Sequence, residues 1–209
     1  MKTHRIIVSF LFTLALMYGG SAQANTVSGS LWHVPEATSQ NAVPANVPAG
    51  TGDVTFDVLS PFNFSGTNVT VSTWLGSSGT GAFNIVENTA GTLASLMDNT
   101  IQGTLVRFTG LVTVTNGEAF TVSHDDGLTL TIGGLSVISS PGPTSQINTT
   151  ATYTGPGGNL PFELVYGECC GGPAVLQVDL PLSSVPEPTT LLLLGFGLVG
   201  LAGLRKVKK

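Results

Sequence analysis

Apolar and polar residues alternate along much of the middle of this chain. In "VTFDVL" (Val54 to Leu59), valine and phenylalanine alternate with threonine and aspartate, the period of a strand with one face buried and one face in water. The same reading covers "VTVSTW" (Val69 to Trp74), "TLVRFTGLVTVT" (Thr104 to Thr115) and "AFTVSH" (Ala119 to His124). "GLTLTI" (Gly127 to Ile132), "ATYT" (Ala151 to Thr154), "LPFELVY" (Leu160 to Tyr166) and "AVLQVDL" (Ala174 to Leu180) complete the set. Asn116-Gly117 between two of these runs predicts a hairpin turn. A short helix is expected within Thr89 to Asn99, and residues 35–48 read as a Pro/Ala/Asn-rich loop inside the domain. Many short strands separated by turn signals predict an all-β fold, an antiparallel β-sandwich.

The two ends break the alternation. The chain starts with the basic stub Met1-Lys2-Thr3-His4-Arg5, continues with the apolar "IIVSFLFTLALMY", and reaches small residues ending in Ala22-Gln23-Ala24. This is the layout of a secretory signal helix cut after Ala24, so residues 1–24 are expected to be a signal peptide. At the other end, Val185-Pro186-Glu187-Pro188 precedes "TTLLLLGFGLVGLAGL" and the chain closes with "RKVKK". The apolar run is short for a membrane span, which takes about 20 residues, and its basic end belongs on the cytoplasmic side. Residues 185–209 resemble the PEP-CTERM sorting signal of bacterial envelope proteins. The resemblance implies a short hydrophobic helix that anchors the chain transiently. It also implies recognition near Pro186, Glu187 and Pro188 by an exosortase-type enzyme, a cell-envelope or extracellular-matrix destination, and company with exopolysaccharide production.

Residues 25–184 remain as one domain. Of the seven basic residues, only Arg107 falls inside it, and of the twelve acidic residues only Glu187 falls outside. The domain therefore carries 1 − 11 = −10. A nucleic-acid partner, which requires a basic face, is excluded. The two cysteines are neighbours, Cys169 and Cys170. They are compatible with a vicinal disulfide, with free thiols or with an intermolecular link, and their spacing offers no zinc cluster.

The chemistry concentrates in "FTVSHDDGLTLTIGG" (Phe120 to Gly134). Adjacent like charges repel. If the strand through Phe120 and Val122 continued, Asp126 would enter the core, where an unpaired carboxylate is very costly. The strand must therefore bend or end here. A plain Asp-Gly hairpin accounts for this, and so does a bound cation with oxygen ligands. The stretch resembles the core of the protective-antigen-type (PA-fourteen) domain, as do "VRFTGLVTVTNGEAF" before it and "LPFELVYGECCGGPAVLQVDLP" after it. In the sugar-binding adhesins of that family two adjacent Asp hold a calcium ion, which in turn binds sugar hydroxyls. The resemblance maps these onto Asp125 and Asp126. It puts Glu168 in place of a family asparagine, with loop carbonyls from Cys170 and Gly172.

Ser123-His124-Asp125 has the residue types of a triad, but sequence neighbours on a strand do not converge as one. The acidic residues show no glycosidase pair. Trp32 and Trp74 suit either sugar stacking or the core. The expectation is a non-enzymatic, exported, calcium-dependent carbohydrate-binding module acting on exopolysaccharide or another glycan. The alternative is a structural matrix protein of the same fold with no ligand.

Overall fold

The computed structural model describes residues 26–79, 81–88 and 96–180. The expected signal peptide, with Ala22 and Ala24, and the segment from 185 onward lie outside them. So does most of the helix expected at Thr89 to Asn99, of which the described part, Leu96–Asp98, is one 3-10 turn.

The described strands are β1 (Thr26–His33), β2 (Val54–Leu59), β3 (Phe62–Thr67), β4 (Phe83–Glu87), β5 (Thr104–Val114) and β6 (Ala119–Asp125). They continue as β7 (Gly127–Ile132), β8 (Leu135–Ser140), β9 (Ile147–Thr152), β10 (Gly158–Glu168) and β11 (Pro173–Val178). A seven-stranded sheet runs β4-β2-β1-β5-β10-β7-β8, and a four-stranded sheet runs β3-β11-β6-β9. All the pairings are antiparallel. The expected all-β sandwich is present.

The alternation puts Val54, Phe56 and Val58 of β2 in the core with Phe108 of β5 and Leu164 of β10. From the other sheet come Phe62, Phe64, Val122 and Leu176. Aromatic rings join the layers: Phe62 stacks on Phe108 with centroids 4.9 Å apart, and Phe64 on Trp74 at 4.4 Å. A second, smaller cluster lies on the outer face of the large sheet. Trp32, Val34, Ala42, Leu105 and Val165 pack there. Residues 35–48, expected as plain loop, form α1 (Glu36–Ser39) and a 3-10 turn (Pro44–Asn46). Arg107 lies over the Trp32 ring, 5.0 Å from its centroid. Both tryptophans are buried, which removes them as sugar-stacking platforms.

Three expectations from local pattern are corrected. "VTVSTW" is not a strand. Val71–Gly76 form the short helix α2, capped by the Thr70 side chain, which accepts from the Thr73 N–H. Val71, Trp74 and Leu75 then share the buried face, a helical period that also fits this window. Asn116-Gly117 is a turn, with Gly117 at φ +89°, but it does not join a hairpin. β5 belongs to the large sheet and β6 to the small one. The Asp-Asp-Gly stretch is likewise no hairpin: β6 pairs with β9 and β11, whereas β7 pairs with β8 and β10. Asp125 to Gly127 is a corner where the chain crosses from one sheet to the other.

Candidate functional site

The corner is tight because two glycines meet beneath it. Gly127 pairs with Gly167 across β7 and β10. A side chain on Gly127 would run into the Pro141 carbonyl, and one on Gly167 into the Ser39 carbonyl. The segments carrying Ser39 and Pro141 therefore close over this end of the sandwich. The Ala42 N–H to Pro141 O bond, 2.9 Å, ties them together, and the Thr129 Oγ1 to Ala42 O bond, 2.9 Å, ties the first to β7.

At the corner, the Asp125–Asp126 peptide is cis. Both side chains line a cavity of about 400 Å³ with Thr144, Ser145, Cys170 and Gly172. Each aspartate is only 4% exposed. Asp126 is held on both oxygens: Oδ2 accepts from the Cys169 N–H at 2.8 Å and Oδ1 from the Thr144 N–H at 3.2 Å. The carboxyls of both aspartates sit above their ordinary range. Burial is the leading cause for each, and for Asp125 the charge of Asp126 adds to it. Among the described residues the one lysine or arginine is Arg107, and it lies over Trp32. Two nearly buried carboxylates thus stand together with no cationic side chain.

Cys169 and Cys170 are bonded to each other, so of the three states the sequence allows the structure has the vicinal disulfide. The loop after it has positive φ at Cys170, Gly171 and Gly172. Glycine adopts this backbone freely. Glu36 of α1 braces the loop, its Oε1 accepting from the Cys170 N–H at 2.9 Å. Asp126 and the two sulfurs lie within 4.8 Å of one another. Disulfide sulfurs offer no thiolate, however, so the available donors are oxygens, the set a hard cation such as calcium requires. The residues therefore fit calcium.

Glu168 lies close by but one layer deeper. It is 1% exposed and does not line the cavity. The Tyr166 hydroxyl reaches both the Asp125 carbonyl and Glu168 Oε2. A phenol has one proton for these two contacts, so one of them needs a proton on the Glu168 carboxyl. Burial supplies the reason: it pushes Glu168 up to about 8. His124 is buried and held below its usual range by desolvation. Its Nδ1–H donates to the Asp126 carbonyl, so the neutral ring accepts from Thr149 Oγ1 at Nε2, 2.7 Å. The Ser123-His124-Asp125 triplet makes no triad, since His124 turns toward the core while Ser123 faces outward beside Gln146.

The buried acid has a pH signature. Glu168 keeps its proton in the folded state up to about pH 8 but loses it near 4.5 when unfolded. The unfolded state thus binds fewer protons across that window, and stability falls as pH rises through it. Asp125 and Asp126 act with the same sign. In chelator, Glu168→Gln is expected to flatten this fall and to melt several degrees above wild type at pH 8. Parallel pH curves for the two proteins would remove the neutral-acid assignment.

The structure brings Asp125, Asp126, Cys170 and Gly172 to one cavity and sets Glu168 beneath them. The sequence reading missed Thr144, Ser145 and Glu36. "PGPTS" (Pro141 to Ser145) was legible as a turn-rich stretch, but nothing local ties it to Asp126.

Residues 184–206 match the PEP-CTERM protein-sorting motif. The chain is thereby marked as an exported protein with a C-terminal sorting signal. Among curated proteins none matches the sequence. Among solved structures the chain is similar to a "PA14 sugar-binding domain from RTX adhesin", with 19% identity and a TM-score of 0.53, over 77% of this chain and 96% of that one. It is also similar to the PA14 domain of the MpAFP antifreeze protein, with 20% identity and a TM-score of 0.49, over 76% and 86%. At 19% identity the likeness to the adhesin domain is one of fold, and it agrees with the PA-fourteen resemblance read from the sequence.

Proposed function

We propose that this protein is an exported, calcium-dependent carbohydrate-binding module of the cell envelope or its matrix. The observation that carries the reading is the pair of nearly buried carboxylates with no basic partner, opening on a cavity at one end of the sandwich. Asp125 and Asp126 would hold the ion, with the carbonyls of Cys170 and Gly172 as neutral ligands. Calcium takes six to eight oxygens, and it supplies a hard charge with positions left for neighbouring hydroxyls of a sugar. Glu168 and Tyr166 brace the Asp125 carbonyl from below, and Glu36 holds the loop. The adhesin domain of the same fold is named as sugar-binding, which supports the ligand class.

The topology suits display. β11 begins at the cavity with Pro173 and ends at Val178, close before the sorting motif at 184–206. β1 likewise starts at Thr26 at the far end and reaches the cavity end at His33, which pairs with Thr104 opposite Glu168. The cavity therefore lies at the end of the sandwich opposite Val178, the end at which β11 finishes. Isothermal calorimetry of the exported protein tests the reading: calcium is expected to bind one to one, and a glycan array is expected to give signals that chelator removes. Absence of calcium heat at millimolar concentration would overturn it.

The sorting motif also implies exosortase-type processing near Pro186 to Pro188. Mass spectrometry of the mature protein is expected to show the sequence after Glu187 removed. A mature form that retains Leu191 to Lys209 would contradict this.

A further inference from the structure

The outer face of the four-stranded sheet carries a second feature, whose lining shares no residue with the carboxylate cavity. One side chain from each strand falls into a single cross-sheet row. Asn63 of β3 pairs with Gln177 of β11, Gln177 with Ser123 of β6, and Ser123 with Asn148 of β9. Their sequence neighbours Phe62, Val122 and Val178 point into the core, so the row faces outward. With strands about 4.8 Å apart, it is about 14 Å long. Its four residues, with Thr121 and Asp179, line a cleft of about 340 Å³.

The groups in the row are unspent. Ser123 takes a contact from Gln146 Nε2 at 3.3 Å. The side-chain amides of Asn63, Gln177 and Asn148 have no hydrogen-bond partner among the described residues. Each amide offers two donors and an acceptor. Phe62 and Val178, which also line the cleft, are 1% and 2% exposed. The exposed apolar lining is then Pro61, which is not one of the aromatic or arginine anchors a protein partner uses. There is no basic residue in the row for an anionic polymer. What fits is an uncharged chain with paired hydroxyls repeating at about the strand spacing, and the advance of one pyranose ring along an extended polysaccharide is close to that spacing.

We propose that this row is a second glycan-contact surface, binding an uncharged, extended polysaccharide without calcium. It lies two residues along β6 from Asp125, about 7 Å, so one long chain could reach both. The inference borrows only the ligand class from the proposed function, and its test is run in chelator so that the two readings fail separately.

The test is affinity electrophoresis of the exported protein with EDTA, in native gels containing hydroxyethylcellulose, dextran or laminarin. At least one polysaccharide is expected to retard wild type in EDTA, where no calcium can bridge it to the carboxylates. The double variant Asn148→Ala/Gln177→Ala is expected to bind about tenfold more weakly, as two lost hydrogen bonds imply. Asn63→Ala, on another strand, gives an independent reading should the double variant melt lower. Retardation by none of the three polymers, or retardation unchanged in these variants, would overturn the proposal.

Discussion

Gly127→Ala is expected to destabilise the domain by about 3 kcal/mol and to disable the site with it. The added methyl would meet the carbonyl carbon and oxygen of Pro141 and the Gly142 oxygen. All three are backbone atoms, so no side chain can swing clear. The φ of Gly127 is not in the left-handed region, which makes the effect one of space alone. Forcing a methyl into a filled position costs about 1–3 kcal/mol. Shifting Pro141 also strains its bond from Ala42, a further loss of about 1 kcal/mol. In a domain of this size the melting temperature should fall by roughly 6–12 °C. Because Thr144 holds Asp126 from the same segment, calcium binding should weaken as well. Gly142→Ala is the control: a methyl there meets nothing within 4 Å, and its effect should stay within about 0.5 kcal/mol. Thermal melts that place both variants beside wild type would refute the close-approach account of the corner.

Withdrawing calcium is expected to lower the melting temperature of the wild type. A ligand that binds only the folded state stabilises it by about 2.7 kcal/mol at a hundredfold excess over its dissociation constant. That corresponds to roughly 5–10 °C in a domain of this length. Without the ion, Asp125 and Asp126 face each other partly desolvated, and both hold protons more readily than usual. The calcium increment should therefore shrink as pH falls toward the carboxylate range, where protons compete for the same oxygens. Asp125→Asn is the sharper variant. Both oxygens of Asp126 already accept backbone N–H groups, so an amide at that position would turn its NH2 toward another donor. The Asp125 carboxylate is not held on both oxygens in this way, so an asparagine there meets no such conflict. Asp125→Asn should keep or slightly raise the apo melting temperature and lose the calcium response. Equal melting of wild type in millimolar calcium and in chelator would end the metal reading.

Much of this protein was legible in the sequence because the relevant signals are local. The sorting motif is a contiguous run, and Val54, Phe56 and Val58 declare a strand by period alone. The excess of acid over base in the domain is a count. The Asp125-Asp126 pair announced that the strand could not continue straight, since the second carboxylate would otherwise enter the core. Only the tertiary structure decided what these elements do together. Asn116-Gly117 and Asp126-Gly127 both read as hairpins, because turn residues report a change of direction and not which sheet receives the next strand. In each case the chain changes sheets, and the partners that decide this lie far off in sequence, as with Val175 opposite Asp125. "VTVSTW" satisfies both a two-residue and a helical period, and the Thr70 cap with the pocket around Trp74 chose the helix. Glu168 was put among the ligands of the ion by the family resemblance. Its depth is set by packing across β5 and β10, and depth is what keeps its proton on. Thr144 and Glu36 reach the site from 18 and 134 residues away in the chain, a distance over which no local pattern carries information.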